Sequence, residues 1–94
     1  MKTKLFTVHD AKAESYTNPF CIHTRGEAIR GFIDVCNDKN TNINKYPEDF
    51  TLFEIGEYNL QNASIELHKS PIPLGKAIEF KKTAIMPITN SQGV

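Results

Sequence analysis

Between residues 2 and 9 the chain alternates (KTKLFTVH). Phe6 and Val8 fall on one side of an extended strand, Leu5 and Thr7 on the other. Lys2 and Lys4 share the Phe6 side but stand near the free end, where they reach water. Residues 10–18 are polar and carry turn formers. Asn18-Pro19 then biases the chain to extended geometry, because the proline ring disfavours helix at the residue before it. A short second strand is expected over 20–23 (FCIH).

The period then changes. Thr24-Arg25-Gly26-Glu27 has the form of a capping box. Ala28, Ile29, Phe32, Ile33 and Cys36 follow at helical spacing on one face, while Arg25, Arg30, Asp34 and Asn37 occupy the rest. This predicts a helix over 25–36, ended by the turn-forming run 37–42. Gly31 inside it costs about 1 kcal/mol against alanine and is read as a point of close packing on a sheet.

Residues 46–49 read as a turn and 50–58 as a strand, with Thr51, Phe53 and Ile55 on one face and Leu52, Glu54 and Tyr58 on the other. After a polar connector, 64–68 alternates again with Ile65 and Leu67 together, which makes a hairpin. Pro71 and Pro73 confine the next stretch to a loop or an edge. Residues 74–80 fit either a short helix or a last strand, with the balance towards strand at 77–80. The expected fold is α+β, one α-helix packed on a small, mostly antiparallel β-sheet. It comprises a single domain over 1–82 and a flexible or partner-docking tail over 83–94.

Composition narrows the function. The chain has 94 residues, 39% hydrophobic and 23% charged, which suits one globular domain. Eleven Lys plus Arg balance eleven Asp plus Glu, which argues against a protein that blankets phosphates with positive charge but leaves room for a local basic patch. No stretch approaches the roughly 20 apolar residues of a membrane span, and the opening residues lack a secretory leader's apolar run. Cys21 and Cys36 are read as reduced thiols, Cys21 buried beside a surface His23, with a Cys21–Cys36 bridge as the lesser alternative. The expected location is a cytoplasm.

No catalytic constellation is evident. Cys21 and His23 alternate on a strand and stand about 7 Å apart, beyond direct hydrogen-bond reach. His9, Asp10, His23 and His68 lack the spacing of metal ligands. Glu48, Asp49, Glu54 and Glu57 read as a solvated or partner-facing acidic face. An enzyme, a metal and a cofactor are therefore not expected. Nucleic-acid binding has more in its favour. Lys2, Lys4, Lys81 and Lys82 flank the domain core, where neighbouring strands can gather them. Arg25 and Arg30 lie on the polar side of the helix, and Tyr16 and Tyr46 sit in polar surroundings as stacking candidates. The ordinary alternative is that the lysines dot a surface while Phe6, Phe32 and Phe53 fill a core.

Four blocks follow one another in order: KLFTVHDAKAE (4–14), TRGEAIRGF (24–32), YPEDFTLFEIG (46–56) and LGKAIEFKK (74–82). Over this span the chain resembles the small non-structural protein of gokushoviruses, the single-stranded-DNA phages of the Microviridae. The resemblance implies a non-structural, DNA-binding protein of the phase in which single-stranded genomes are made and packaged, working inside the infected bacterium. Within the blocks, Phe6, Ala28, Phe32, Phe53 and Phe80 look like packing positions, Gly56 and Gly75 like backbone requirements, and Lys81 and Lys82 like contact residues. Neutral charge implies few phosphate contacts per chain, hence a homodimer or higher homo-oligomer holding single-stranded DNA. The competing expectation is an adaptor contacting a phage replication or capsid protein, or a host factor, through the 48–57 face or the tail.

Overall fold

A computed structural model describes residues 1–81; Lys82 and the expected 83–94 tail lie outside the described residues. The element order is β1 (Lys2–Asp10), β2 (Ser15–Tyr16), β3 (Phe20–Ile22), α1 (Arg25–Cys36), α2 (Asn42–Lys45), β4 (Phe50–Asn59), β5 (Ile65–Lys76) and α3 (Ala77–Phe80). The strands form one antiparallel sheet of five strands, with β1 at its centre. Along one side β1 pairs with β4 from Lys2↔Asn59 to Asp10↔Phe50. Its other side is shared by β3, opposite Lys4, Leu5 and Phe6, and by the two-residue β2, opposite His9 and Asp10. Thr17 bridges the gap between these two: its Oγ1 accepts the Val8 N–H at 3.0 Å, and its carbonyl accepts the Thr7 hydroxyl at 2.8 Å. Among the described residues β5 pairs with β4 alone and forms an edge.

Thr24 caps the helix as the sequence predicts, with Glu27 reaching back to its hydroxyl rather than to its backbone N–H. Thr24 Oγ1 accepts the Glu27 N–H at 3.1 Å, and the Thr24 hydroxyl donates to Glu27 Oε1 at 3.1 Å. The helix then presents Ala28, Phe32 and Cys36, spaced four apart, to one face of the sheet. There they meet Phe6 and Val8 of β1, Phe50 and Leu52 of β4, and Ala77 of α3, which together form the core. Phe32 and Phe80 pack edge to face with ring centroids 6.0 Å apart. Asn37 fastens the two helix ends, its Nδ2 donating to the carbonyls of Ile33 and Phe80.

Four expectations are corrected. Residues 77–80 form one helical turn rather than a strand, because Ala77 is drawn under α1 and the Lys81 N–H closes on the Ala77 carbonyl. The strict alternation of β4 breaks at Ile55: Phe6 opposes Glu54 but Leu5 opposes Gly56, so a bulge inserts one residue. The parity therefore flips, and Tyr58 pairs with Thr3 on the Thr7–Phe53 face instead of siding with Leu52 and Glu54. The prolines behave as expected, since β5 runs on through Pro71 and Pro73 as an edge strand, with four of its residues (68–71) opposite Ile55 alone. Cys21 is exposed rather than buried, since among the described residues β3 pairs with β1 alone and lies at the edge of the sheet. Gly31 is also exposed, and a Cβ there would meet nothing within 4 Å, so it marks no close packing.

Candidate nucleic-acid interface

The basic residues expected to converge lie in two separate places. Lys2 and Lys4 stand at the free end of β1, where Lys2 Nζ lies 3.3 Å from Glu66 and 3.8 Å from Glu57, and Lys4 Nζ lies 3.9 Å from Glu57. Lys81 follows α3 at the opposite end of the sheet, roughly 25 Å away along β1 at the usual rise per residue. Its ammonium donates to the Asn44 carbonyl at 2.8 Å. Arg30 is exposed on α1. Tyr46, half-exposed beneath the Lys45 ammonium, lines a hollow with Asp10, Asp49 and Lys12, where two carboxylates outnumber one ammonium and disfavour a phosphate. The acidic stretch is likewise dispersed: Glu48 is exposed, Glu54 is buried and Glu57 is engaged by Lys2 and Lys4.

Arg25 is committed to a buried carboxylate. Its Nε donates to Glu54 Oε1 at 2.8 Å, while Glu54 Oε2 lies 2.8 Å from His68 Nε2. Glu54 is only 2% exposed, and burial alone would neutralise it. The Arg25 hydrogen bond outweighs that penalty and, with help from His68 and the field of Lys4, holds the carboxyl below its ordinary value. Glu54 therefore stays ionised at neutral pH and ties α1 to the displaced segment of β5.

α1, α2 and α3 all contribute to the same face of the sheet, and among the described residues no helix packs on the other face, where Thr3, Leu5 and Thr7 of the central strand are nevertheless buried. On that open face the register aligns Tyr16 with His9, Thr7 with Phe53, and Tyr58 with Ile65. Three rings gather there: His9 and Tyr16 with centroids 4.5 Å apart, and Tyr16 and Phe53 at 5.9 Å, edge to face. Tyr16 remains 53% exposed and Leu67 68%. A pocket of about 380 Å³ opens beside them, with Ile55 and His68 among its walls. Lys76 pairs with Thr51 at one end of this face, and Lys69 stands exposed on the inserted residues of β5. Among the described residues neither lysine makes an ion pair, in contrast to Lys2, Lys4 and Arg25.

Of the described residues singled out from sequence as nucleic-acid contacts, Tyr16 alone stands on this aromatic face. Sequence reasoning missed His9 and Phe53, which it read as a histidine without metal-ligand spacing and as a core residue, and it missed Lys69 and Lys76. The alternation at 51–55 does mark two faces of a strand, but alternation cannot say which face a helix covers. The lysines were hidden because their strand is interrupted by two prolines.

Among the described residues, no group of three or more His, Cys, Asp or Glu side chains is gathered as a metal would require, and no helix is long and apolar enough to cross a membrane. A family model described as Phage ORF5 protein matches residues 3–80, which is most of the chain. No curated protein and no solved structure matches.

Proposed function

We propose a function from one established premise: the chain belongs to the Phage ORF5 protein family. The reading is a non-catalytic DNA-binding protein of a single-stranded-DNA phage, of the gokushovirus type within the Microviridae, acting in the host cytoplasm during viral strand synthesis or genome packaging. The observation that carries it is the sheet face away from the three helices, with its partly exposed His9–Tyr16–Phe53 ring cluster. Unpaired bases stack on such platforms, each aromatic contact contributing about 1–3 kcal/mol whatever the sequence. Lys69 and Lys76 supply cations free to meet phosphates, whereas Lys2, Lys4 and Arg25 would first have to leave carboxylates.

One domain of zero net charge offers few phosphate contacts, so the proposal includes a homodimer or higher homo-oligomer whose joined faces supply valency. A second reading, docking of a phage replication or capsid protein, is favoured by one feature: the exposed Ile65 and Leu67 on the same face. Fluorescence anisotropy with single-stranded and duplex oligonucleotides of equal length, at about 50 and 200 mM salt, decides between them. DNA binding predicts single-strand preference and a salt slope that drops by about 0.7 when Lys76 becomes alanine. Tyr16→Ala weakens binding and Lys2→Ala leaves it nearly unchanged. Absence of binding to either oligonucleotide at low salt, from folded protein, rejects the DNA reading in favour of docking.

A further inference from the structure

On the face of the sheet that carries α1, an apolar groove of about 490 Å³ runs between α1 and β3. Phe20 and Ile22 of β3, Phe32 and Val35 of α1, and Ile43 of α2 line it. Ile22 and Ile43 pack on the core from its margin, while Phe20 and Val35 are 36% and 37% exposed. Apolar side chains beside the core are thus left open at this margin, which favours an apolar occupant. Among the described residues β3 pairs with β1 alone, so its outer edge offers backbone groups to an extended segment.

The chain itself delivers such a segment to this place. Residues 84–88 (AIMPI) form an uninterrupted apolar run, with Ala84, Met86 and Ile88 on one side of an extended backbone. Lys81 stands three residues before the run. Its ammonium donates to the carbonyl of Asn44, the neighbour of Ile43, at 2.8 Å, and the preceding Phe80 packs on Phe32 with ring centroids 6.0 Å apart. Two wall residues of the groove therefore flank the point from which the run departs, and three residues reach about 10 Å at most. The lengths also agree. An extended run from 84 to 88 is about 13 Å long, and the α1 wall from Glu27 to Val35 rises about 12 Å. So short a connection gives the chain's own run a roughly millimolar local concentration at the groove, ahead of any copy arriving from solution.

We infer that residues 84–88 occupy the α1–β3 groove of their own chain, entering beside Ile43 and Val35 and running towards Glu27, with Ala84, Met86 and Ile88 turned inward. The run then closes the core at the margin that α1 leaves open, which makes it part of the fold instead of an arm for a partner. The inference is independent of the DNA-binding reading, because the groove and the His9–Tyr16–Phe53 cluster lie on opposite faces of the sheet.

Methyl nuclear Overhauser spectra of the intact, unmodified protein read this contact directly. We expect cross-peaks from Met86 to Val35 and from Ile88 to Ile22. In a mixture of isotope-labelled and unlabelled copies, they should remain within one chain. Met86→Asp should lower the folding equilibrium constant about tenfold in urea unfolding, whereas Ser91→Asp, beyond the run, should leave it unchanged. Val35→Asp should cost a similar factor, and the double variant little more than either, since each removes the same contact. Absence of the cross-peaks, cross-peaks that pass between copies, an unchanged equilibrium constant for Met86→Asp, or losses that simply multiply in the double variant overturns the inference.

Discussion

Replacing Arg25 with methionine isolates the buried ion pair, since methionine retains most of the apolar stem. The cost can be bracketed from the structure. Exposed pairs contribute about 0–1 kcal/mol, and removing one partner of a fully buried pair costs about 3–5 kcal/mol. Here the carboxylate is 2% exposed and the arginine side chain 49% exposed, so Arg25 itself loses little by release to water. Glu54 keeps the weaker support of His68 at 2.8 Å. We therefore expect Arg25→Met to destabilise the protein by about 2 kcal/mol at pH 7, roughly 30-fold in the folding equilibrium.

The pH dependence is the sharper signature. Arg25 lowers the Glu54 carboxyl in the folded state, so its contribution is present above the unfolded value of about 4.3 and is lost as the pH falls through the folded value. In the variant the folded carboxyl rises instead. The two proteins should therefore converge in stability as acid protonates Glu54 in both. Urea unfolding at pH 7 and at successively lower pH measures this directly, with unchanged m-values confirming a comparable unfolding transition. A difference below about 0.5 kcal/mol at pH 7, or one that persists undiminished in acid, would refute the reasoning.

Four further outcomes follow from local geometry. Gly31→Ala should stabilise the protein by about 0.5–1 kcal/mol in the same urea assay, because the helix position is exposed and the added methyl meets nothing within 4 Å. Gly56→Ala should cost about 2 kcal/mol, since a Cβ there collides with the Glu66 carbonyl on β5 and the hairpin must shift. A thiol reagent at pH 8 should modify Cys21 alone in the folded protein and both cysteines in denaturant, as burial pushes the Cys36 thiol up to about 11. Because the unfolded thiol ionises near 8.5, raising the pH from there through about 11 should also weaken the fold, by a component that Cys36→Ala lacks.

The local signals were legible because each rests on neighbours in the chain. Thr24 and Glu27 announce the start of α1, and Ala28, Phe32 and Cys36 mark the stripe that it buries. The alternation of 2–9 and 50–54 marks the strands, and the prolines at 71 and 73 mark an edge. These features determined the α+β class, the helix bounds and much of the core, since helical and strand periodicities follow from backbone geometry alone. Tertiary structure decided the rest. The bulge at Ile55 moved Tyr58 to the opposite face, the contact with α1 turned 77–80 into a helix, and distant carboxylates claimed Lys2, Lys4 and Arg25. Above all, a single helix can cover only one side of a sheet. Which side it covers determines whether Phe53 is core or surface, and that choice depends on packing across the whole chain rather than on any residue's neighbours.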